Sequence, residues 1–386
     1  MVVANPRHLA GPGGGFGRRN NLVPARTPPN IKNVGEINLT NKYVRFCVLS
    51  LCFAVACLVG KIGAAQAQEP LIPVTVQLGD VSLTKLPVLL AADKRIFARN
   101  GLKVDIFISP SAAAVVRAEG VNVPAQNIHS GMVADLDIGG GSPMVVNMTT
   151  VATYPHRIIL ATMDNVVRFH IIARKGITSV DQLKGKRIGY EEPGSLDQSG
   201  LLLFLHKMGW DPVHDVSMYS NGGSVGNIVS GQVDAMAGSE IAITEAKKLG
   251  FNDLVDLKQY NWVMPGSGVM ALSSWAKQNP DACARFIKSM VEAIALMKTD
   301  KQADYASLKK WFGMTDPAKL AAVYASAKNL PSKPYPSIAG LQMMHMVYDW
   351  RALDTSKPED FADSSYVAAL DKSGVIDSLY KKQAQN

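Results

Sequence analysis

Short apolar runs alternate along this chain with longer stretches whose apolar positions recur at helical spacing, a pattern that predicts α/β layers. Val74–Leu78 reads as a strand and Lys85–Arg99 as a helix. In that helix Leu86, Leu89, Leu90 and Phe97 fall mainly on one side, and Asn100-Gly101 supplies a left-handed stop. Leu102–Ile108 is a second strand, and Ser109-Pro110-Ser111 opens another helix. Asp135–Ile138 ends a strand before Gly139–Pro143, where Ser142 is placed to N-cap a helix and Pro143 suits its first turn. Ile158–Met163 and Phe169–Ala173 read as two more strands.

The second block repeats this logic. Ser179–Gln182 is a capping-box pattern, and Lys184–Lys186 turns into the strand Arg187–Tyr190. Pro193-Gly194-Ser195 opens a helix that runs to Met208. Val216–Tyr219 is a strand, Gly222-Gly223-Ser224 opens a helix ended by Gly231, Val233–Ala237 is a strand, and Ile241–Leu249 is a helix. After the extended run Val263–Leu272 the pattern is helical to the end. The parse gives one αβ unit over 70–163, a second over 166–262 and a helical return. Crossings between the units are expected near Ala161–Val167 and Trp262–Gly268, which predicts two lobes with a cleft between movable jaws.

One apolar run does not fit this scheme. Lys42 and Arg45 precede Phe46–Gly60, which only Ser50 interrupts, and Ala65-Gln66-Ala67 follows as a small-x-small cleavage site. Residues 44–67 therefore read as a cleavable signal peptide, too short for a span of about 20 apolar residues, and the expected location is the periplasm. Cys57 as a lipid attachment site fits less well, because apolar residues continue beyond it. Residues 1–43, rich in Gly, Pro, Asn and Arg, read as a disordered extension or as the product of a mis-called start.

Removing the leader changes the chemistry. Residues 1–67 hold eight of the chain's 40 Lys and Arg but only one of its 32 Asp and Glu, which leaves the remainder within one charge of neutral. The net charge of +8 is thus no signal for nucleic acid. Three of the four cysteines also lie in the leader, and Cys283 alone cannot form an intramolecular disulfide. No HExxH pair or His cluster at metal-ligand spacing is present: His129, Tyr154-Pro-His156 and His170 are scattered. The run Gln342–Met346 with Tyr348 and Trp350 suits packing or lobe coverage.

Four segments in order carry a resemblance to a known family: Leu86–Ile106, Ala134–Pro143, Ile177–Tyr190 and Ile228–Glu240. Together they resemble the periplasmic solute-binding proteins of ABC importers, in the nitrate/sulfonate/taurine and thiamine-precursor branch. The chain departs from that pattern at Arg95, where the family usually has Gly, at Ile241, where it usually has Pro, and over a longer segment 120–132. The resemblance implies a type II periplasmic binding protein fold. Lobe 1 would comprise 68–163 plus 266–386 and lobe 2 164–265, with two hinge strands between them and the helical C-terminal segment packed on lobe 1. It implies a monomer that captures a small organic ligand, expected to be a sulfonate, carboxylate or related anion, and passes it to a membrane permease and ATPase. No catalysis, cofactor, metal or nucleic-acid partner is expected. The rivals are an enzyme resembling pyrimidine-precursor synthases and a ligand-sensing partner of a membrane receptor.

In such folds ligands sit beyond the carboxyl ends of the strands, where helix N-termini offer N–H groups and partial positive charge. That rule selects Thr84 and Lys85 after the first strand, Gly140 and Ser142 after the third, Gly194 and Ser195, then Gly223 and Ser224 in the second lobe. Glu240 matches the family's acidic position near the hinge. Glu191, Glu192 and Asp197 flank the Gly194 loop and would repel a dianion or receive an amine.

Overall fold

Val74, Val76 and Leu78 are buried and alternate with less buried residues, which embeds strand β1 (Ile72–Leu78) in its sheet. The computed structural model describes residues 70–79, 83–118, 123–327 and 329–381. The leader and signal sequence expected at 1–67 lie outside them. The expected Lys85–Arg99 helix is divided into a 3-10 turn Leu83–Lys85, α1 (Leu86–Asp93) and α2 (Ile96–Arg99). The break falls at Arg95, whose φ of 56° is left-handed. A glycine would adopt that conformation without steric cost, which accounts for the family's preference there.

The chain continues through β2 (Leu102–Ile108), α3 (Pro110–Ala118), β3 (Leu136–Gly140), α4 (Gly141–Thr150) and β4 (Arg157–Thr162). The next block holds β5 (Phe169–Ala173), β6 (Arg187–Tyr190), α5 (Leu196–Lys207), β7 (Ser217–Ser220), α6 (Val225–Val229), β8 (Ala235–Ser239), α7 (Glu240–Lys248) and β9 (Asn252–Asp256). After β10 (Ser267–Leu272) the described residues are helical: α8 (Ser273–Gln278), α9 (Pro280–Thr299), α10 (Lys301–Phe312), α11 (Pro317–Ala327), α12 (Ile338–Val347), α13 (Arg351–Asp354), α14 (Ser365–Lys372) and α15 (Val375–Lys381).

Two five-stranded sheets result, with orders β2-β1-β3-β10-β4 and β7-β6-β8-β5-β9. Each has four strands running one way and a single antiparallel strand in the fourth position, β10 in the first and β5 in the second, so the second sheet repeats the plan of the first. Strand β10 returns from beyond the second block to lie between β3 and β4. The chain thus passes between the sheets twice, after β4 and before β10. The two passages run side by side: Val167 N donates to Trp262 O at 3.0 Å and Met264 N to Asn165 O at 2.9 Å. Gly266 makes their close approach possible, since a Cβ there would stand 2.0 Å from Asp164 O.

Apolar packing secures both sheets. Val76, Leu136 and Ile138 pack with Phe286, Ile287 and Met290 of α9, and Phe97 stacks on Phe286 at 5.0 Å. A second cluster joins Met144 and Val145 of α4, Leu201 and Phe204 of α5, and Leu341 and Met344 of α12. Helices α9, α14 and α15 of the C-terminal segment lie on the first sheet's side, as expected, whereas α12 also packs on α5.

Candidate functional site

Strands β3 and β6 each deliver the chain into a helix through small residues, and the N-terminal ends of these helices meet. Gly194 has a φ of +82°, and a Cβ on it would lie 2.8 Å from Val146 Cγ2 and 3.0 Å from Pro143 Cα, both in α4. Only glycine permits that approach. Ser142 Oγ, in α4, stands 3.4 Å from Ser199 Oγ, in α5. Ser199 Oγ is 2.9 Å from the Tyr348 hydroxyl, which also donates to Gln198 Oε1 at 3.3 Å. Segments more than 140 residues apart in sequence thus converge on one buried polar cluster. Burial pushes the Tyr348 hydroxyl up to about 12; the Ser199 and Ser142 hydroxyls oppose the rise and the Asp197 charge adds to it.

The two helix ends differ in detail. At α4 the N-cap is Gly140, not Ser142 as the sequence suggested, because the helix already starts at Gly141. Gly141 N donates to Gly266 O at 2.8 Å and Ser142 N to Pro265 O at 2.6 Å, both carbonyls of the second passage. These N–H groups tie α4 to the passage. At α5 Ser195 is the N-cap, as expected: its Oγ accepts from Gln198 N and donates to Glu192 O at 2.6 Å. Gly194 N donates to Gln198 Oε1 at 2.6 Å. Asp197 is almost fully buried at 1% exposure, and its Oδ2 accepts from Glu191 N at 2.6 Å. Burial raises its carboxyl above the usual range, while the Ser195 hydroxyl and backbone N–H groups pull it back.

Of the remaining predicted residues, one loop joins these ends and the others lie at separate helix starts. Gly223 packs on the acidic loop, where a Cβ would be 2.8 Å from Glu191 N, and Asn221 N donates to Glu191 O at 2.8 Å. The structure therefore brings the Gly194 and Gly223 loops together. Ser224 is the N-cap of the short α6, its Oγ donating to Asn227 Oδ1. Thr84 and Lys85 lie in the 3-10 turn before α1, with Lys85 buried and its Nζ donating to Thr84 Oγ1 at 3.1 Å. Glu240 is the first residue of α7, directly after β8.

A contrasting buried acid lies in the first sheet. Asp137 Oδ2 pairs with Arg157 Nε at 2.8 Å, and Arg157 Nη2 also donates to Ala134 O at 3.0 Å. Burial pushes the Asp137 carboxyl up to about 6 against the pull of Arg157. Two of the scattered histidines have local partners: His170 Nδ1 lies 3.0 Å from Asp253 and His156 Nδ1 2.9 Å from Ser273 Oγ. His156 also lines a hollow of about 410 Å³ with Thr149, Asp360 and Phe361. No group of His, Cys, Asp or Glu among the described residues is arranged to hold a metal. Cys283 is buried, and that burial pushes its thiol up to about 11, away from the thiolate a nucleophile needs. The convergent groups are hydroxyls, an amide and carboxyls, equipped to hydrogen-bond a solute. Sequence reasoning did not single out Ser199 or Gln198, and it read Tyr348 as packing or lobe coverage.

Residues 84–303 match the model of the family described as NMT1/THI5 like. No curated protein matches the chain significantly in sequence. Among solved structures, the periplasmic nitrate-binding protein NrtA of Synechocystis aligns with a TM-score of 0.55 at 16% identity, covering 82% of this chain and 89% of that one. The periplasmic aliphatic sulphonate binding protein SsuA of Escherichia coli aligns at 0.51 and 20%, covering 71% and 86%. A ligand-binding component of an ABC-type import system from Staphylococcus aureus aligns at 0.53 and 11%, covering 82% and 100%. At these identities the likeness carries the fold, and no described helix is long and apolar enough to cross a membrane. The chain belongs to the NMT1/THI5-like family, with the type II periplasmic binding protein fold of the nitrate- and sulfonate-binding proteins.

Proposed function

We propose that this protein is the solute-binding component of an ABC importer, exported to the periplasm behind a cleavable signal peptide and acting without catalysis. Its lobes are 68–163 plus 266–386 and 164–265, and they close on a small organic solute that a membrane permease and ATPase then take up. The observation that carries this reading is the meeting of the α4 and α5 ends, with Ser142 and Ser199 only 3.4 Å apart across two sheets that the chain joins by two adjacent passages. Closure is stabilised by contacts that exist only when both sides meet around a ligand. The titrant classes are those expected from the sequence, sulfonates and carboxylates first, then pyrimidines, and the ligand-binding set includes Thr84, Lys85, Gly140, Ser142, Gly194, Ser195, Gly223, Ser224 and Glu240.

The test is calorimetric titration across sulfonates, aromatic and aliphatic carboxylates and pyrimidines, with small-angle scattering on every binder. The expected result is at least one ligand of micromolar or better affinity that reduces the radius of gyration. Failure of every class, with no small molecule co-purifying, sinks the proposal.

A further inference from the structure

Asp197 stands in the first turn of α5 with 1% of its surface exposed. Glu191 N occupies its Oδ2 at 2.6 Å, and Oδ1 has no hydrogen-bond partner among the described residues. No Lys, Arg or His among the described residues pairs with it either. A buried carboxylate oxygen without a donor is costly, so folds rarely leave one unless something else supplies the donor. The hydroxyl donors of the cluster are already engaged: Ser195 with Glu192 O, Tyr348 with Ser199 and Gln198, and Ser199 with Ser195 O. The loop that leads into α5 adds Glu191 and Glu192, so an anionic group placed here would meet like charge.

We propose that Asp197 Oδ1 accepts a hydrogen bond from an N–H group of the bound solute, an amine, an amidine or an amino group on a heteroaromatic ring. This rests on the reading of the α4–α5 junction as the solute site and narrows the ligand class beyond a plain anion. Two other buried acids show what distinguishes Asp197. Asp137 also leaves its Oδ1 without a donor, but its charge is paired through Oδ2 with Arg157 at 2.8 Å. Asp304, in α10, has neither oxygen partnered, and no backbone N–H or hydroxyl holds it ionised. Asp197 combines a backbone N–H on one oxygen, an open second oxygen and no cation beside it.

The test uses matched pairs that differ in the N–H group: benzamidine against benzoate, and 2-aminoethanesulfonate against ethanesulfonate, titrated into the wild-type protein and Asp197→Asn. The wild type is expected to bind an N–H member at least about tenfold more tightly than its partner. Asp197→Asn is expected to weaken that member by about 30-fold or more and its partner by less than threefold. If Asp197→Asn does not fold, Asp197→Ser retains an oxygen for Glu191 N and takes its place. Tight binding of the oxyanion members, unchanged in the variant, overturns the assignment and leaves the solute-binding reading standing. Binding by no member in this set or in the wider titration overturns both.

Discussion

The α4 and α5 ends look alike in sequence, Gly-Gly-Ser-Pro against Pro-Gly-Ser, yet they serve different purposes. At α4 the first N–H groups are spent on Pro265 and Gly266 carbonyls, and the nearby sheet pairs its buried acid, Asp137, with Arg157. At α5 the N-cap serine organises its own loop, and the buried acid Asp197 keeps one oxygen open. An end whose N–H groups are spent anchors a helix to the passages between sheets; an end whose buried acid has an open oxygen and no cation beside it is suited to a ligand. The lesson is that a small-residue helix start identifies a place, and the hydrogen-bond inventory identifies its use.

The largest effect is expected from removing the partner on the satisfied side. Arg157→Ala strands the Asp137 carboxylate in a buried setting and is expected to destabilise the fold by about 3–5 kcal/mol, measured by urea denaturation. Asp197→Asn should shift the same curve by less than about 1 kcal/mol, because it removes a charge that has no cation to lose. Equal losses in the two variants would erase the contrast.

The next test concerns the passages that anchor α4. Gly266→Ala places a Cβ 2.0 Å from Asp164 O, a backbone atom that cannot step aside. About 2–3 kcal/mol of destabilisation is expected, together with a larger scattering radius if the passages are forced apart. An unchanged melting temperature would show that the two strands do not need their close approach.

Asp304 supplies the control, since it is an unpaired acid outside the proposed ligand set. Its folded value of about 6 lies above the ordinary 3.8, so the folded chain holds this proton more tightly than the unfolded one. The associated stability is fully present below pH 3.8 and is lost as the pH rises through about 6. Asp304→Asn is expected to gain up to about 3 kcal/mol at pH 7.5 relative to the wild type and little at pH 4, with solute affinity unchanged. Chemical denaturation at both pH values reads this; a variant that loses affinity would place Asp304 in the ligand account after all.

Much of the architecture was legible in the sequence because local patterns determine it. The Ser179–Gln182 box forms, Gln182 Oε1 accepting from Ser179 N at 3.1 Å, and the two passages fall where composition placed them. Strand β9 was not read, since Asn-Asp-Leu-Val-Asp is too polar for the pattern and occupies a sheet edge, where only one side needs pairing. The run of glycines before Ser142 left the helix start ambiguous by a residue. Of the site, the loops were visible but their partners were not. Tyr348 meets Ser199 across 149 positions of sequence, a contact no local signal announces. Asp197 was visible as an acid beside the loop, but its open oxygen emerges only once every neighbour's donor is accounted for.

Native mass spectrometry of freshly purified protein, wild type beside Asp197→Asn, addresses the central claim most directly. The account predicts a retained small organic molecule that fragments as an N–H-bearing solute, present on the wild type and lost from the variant. A retained molecule without any N–H group, or one held equally by both proteins, would contradict it.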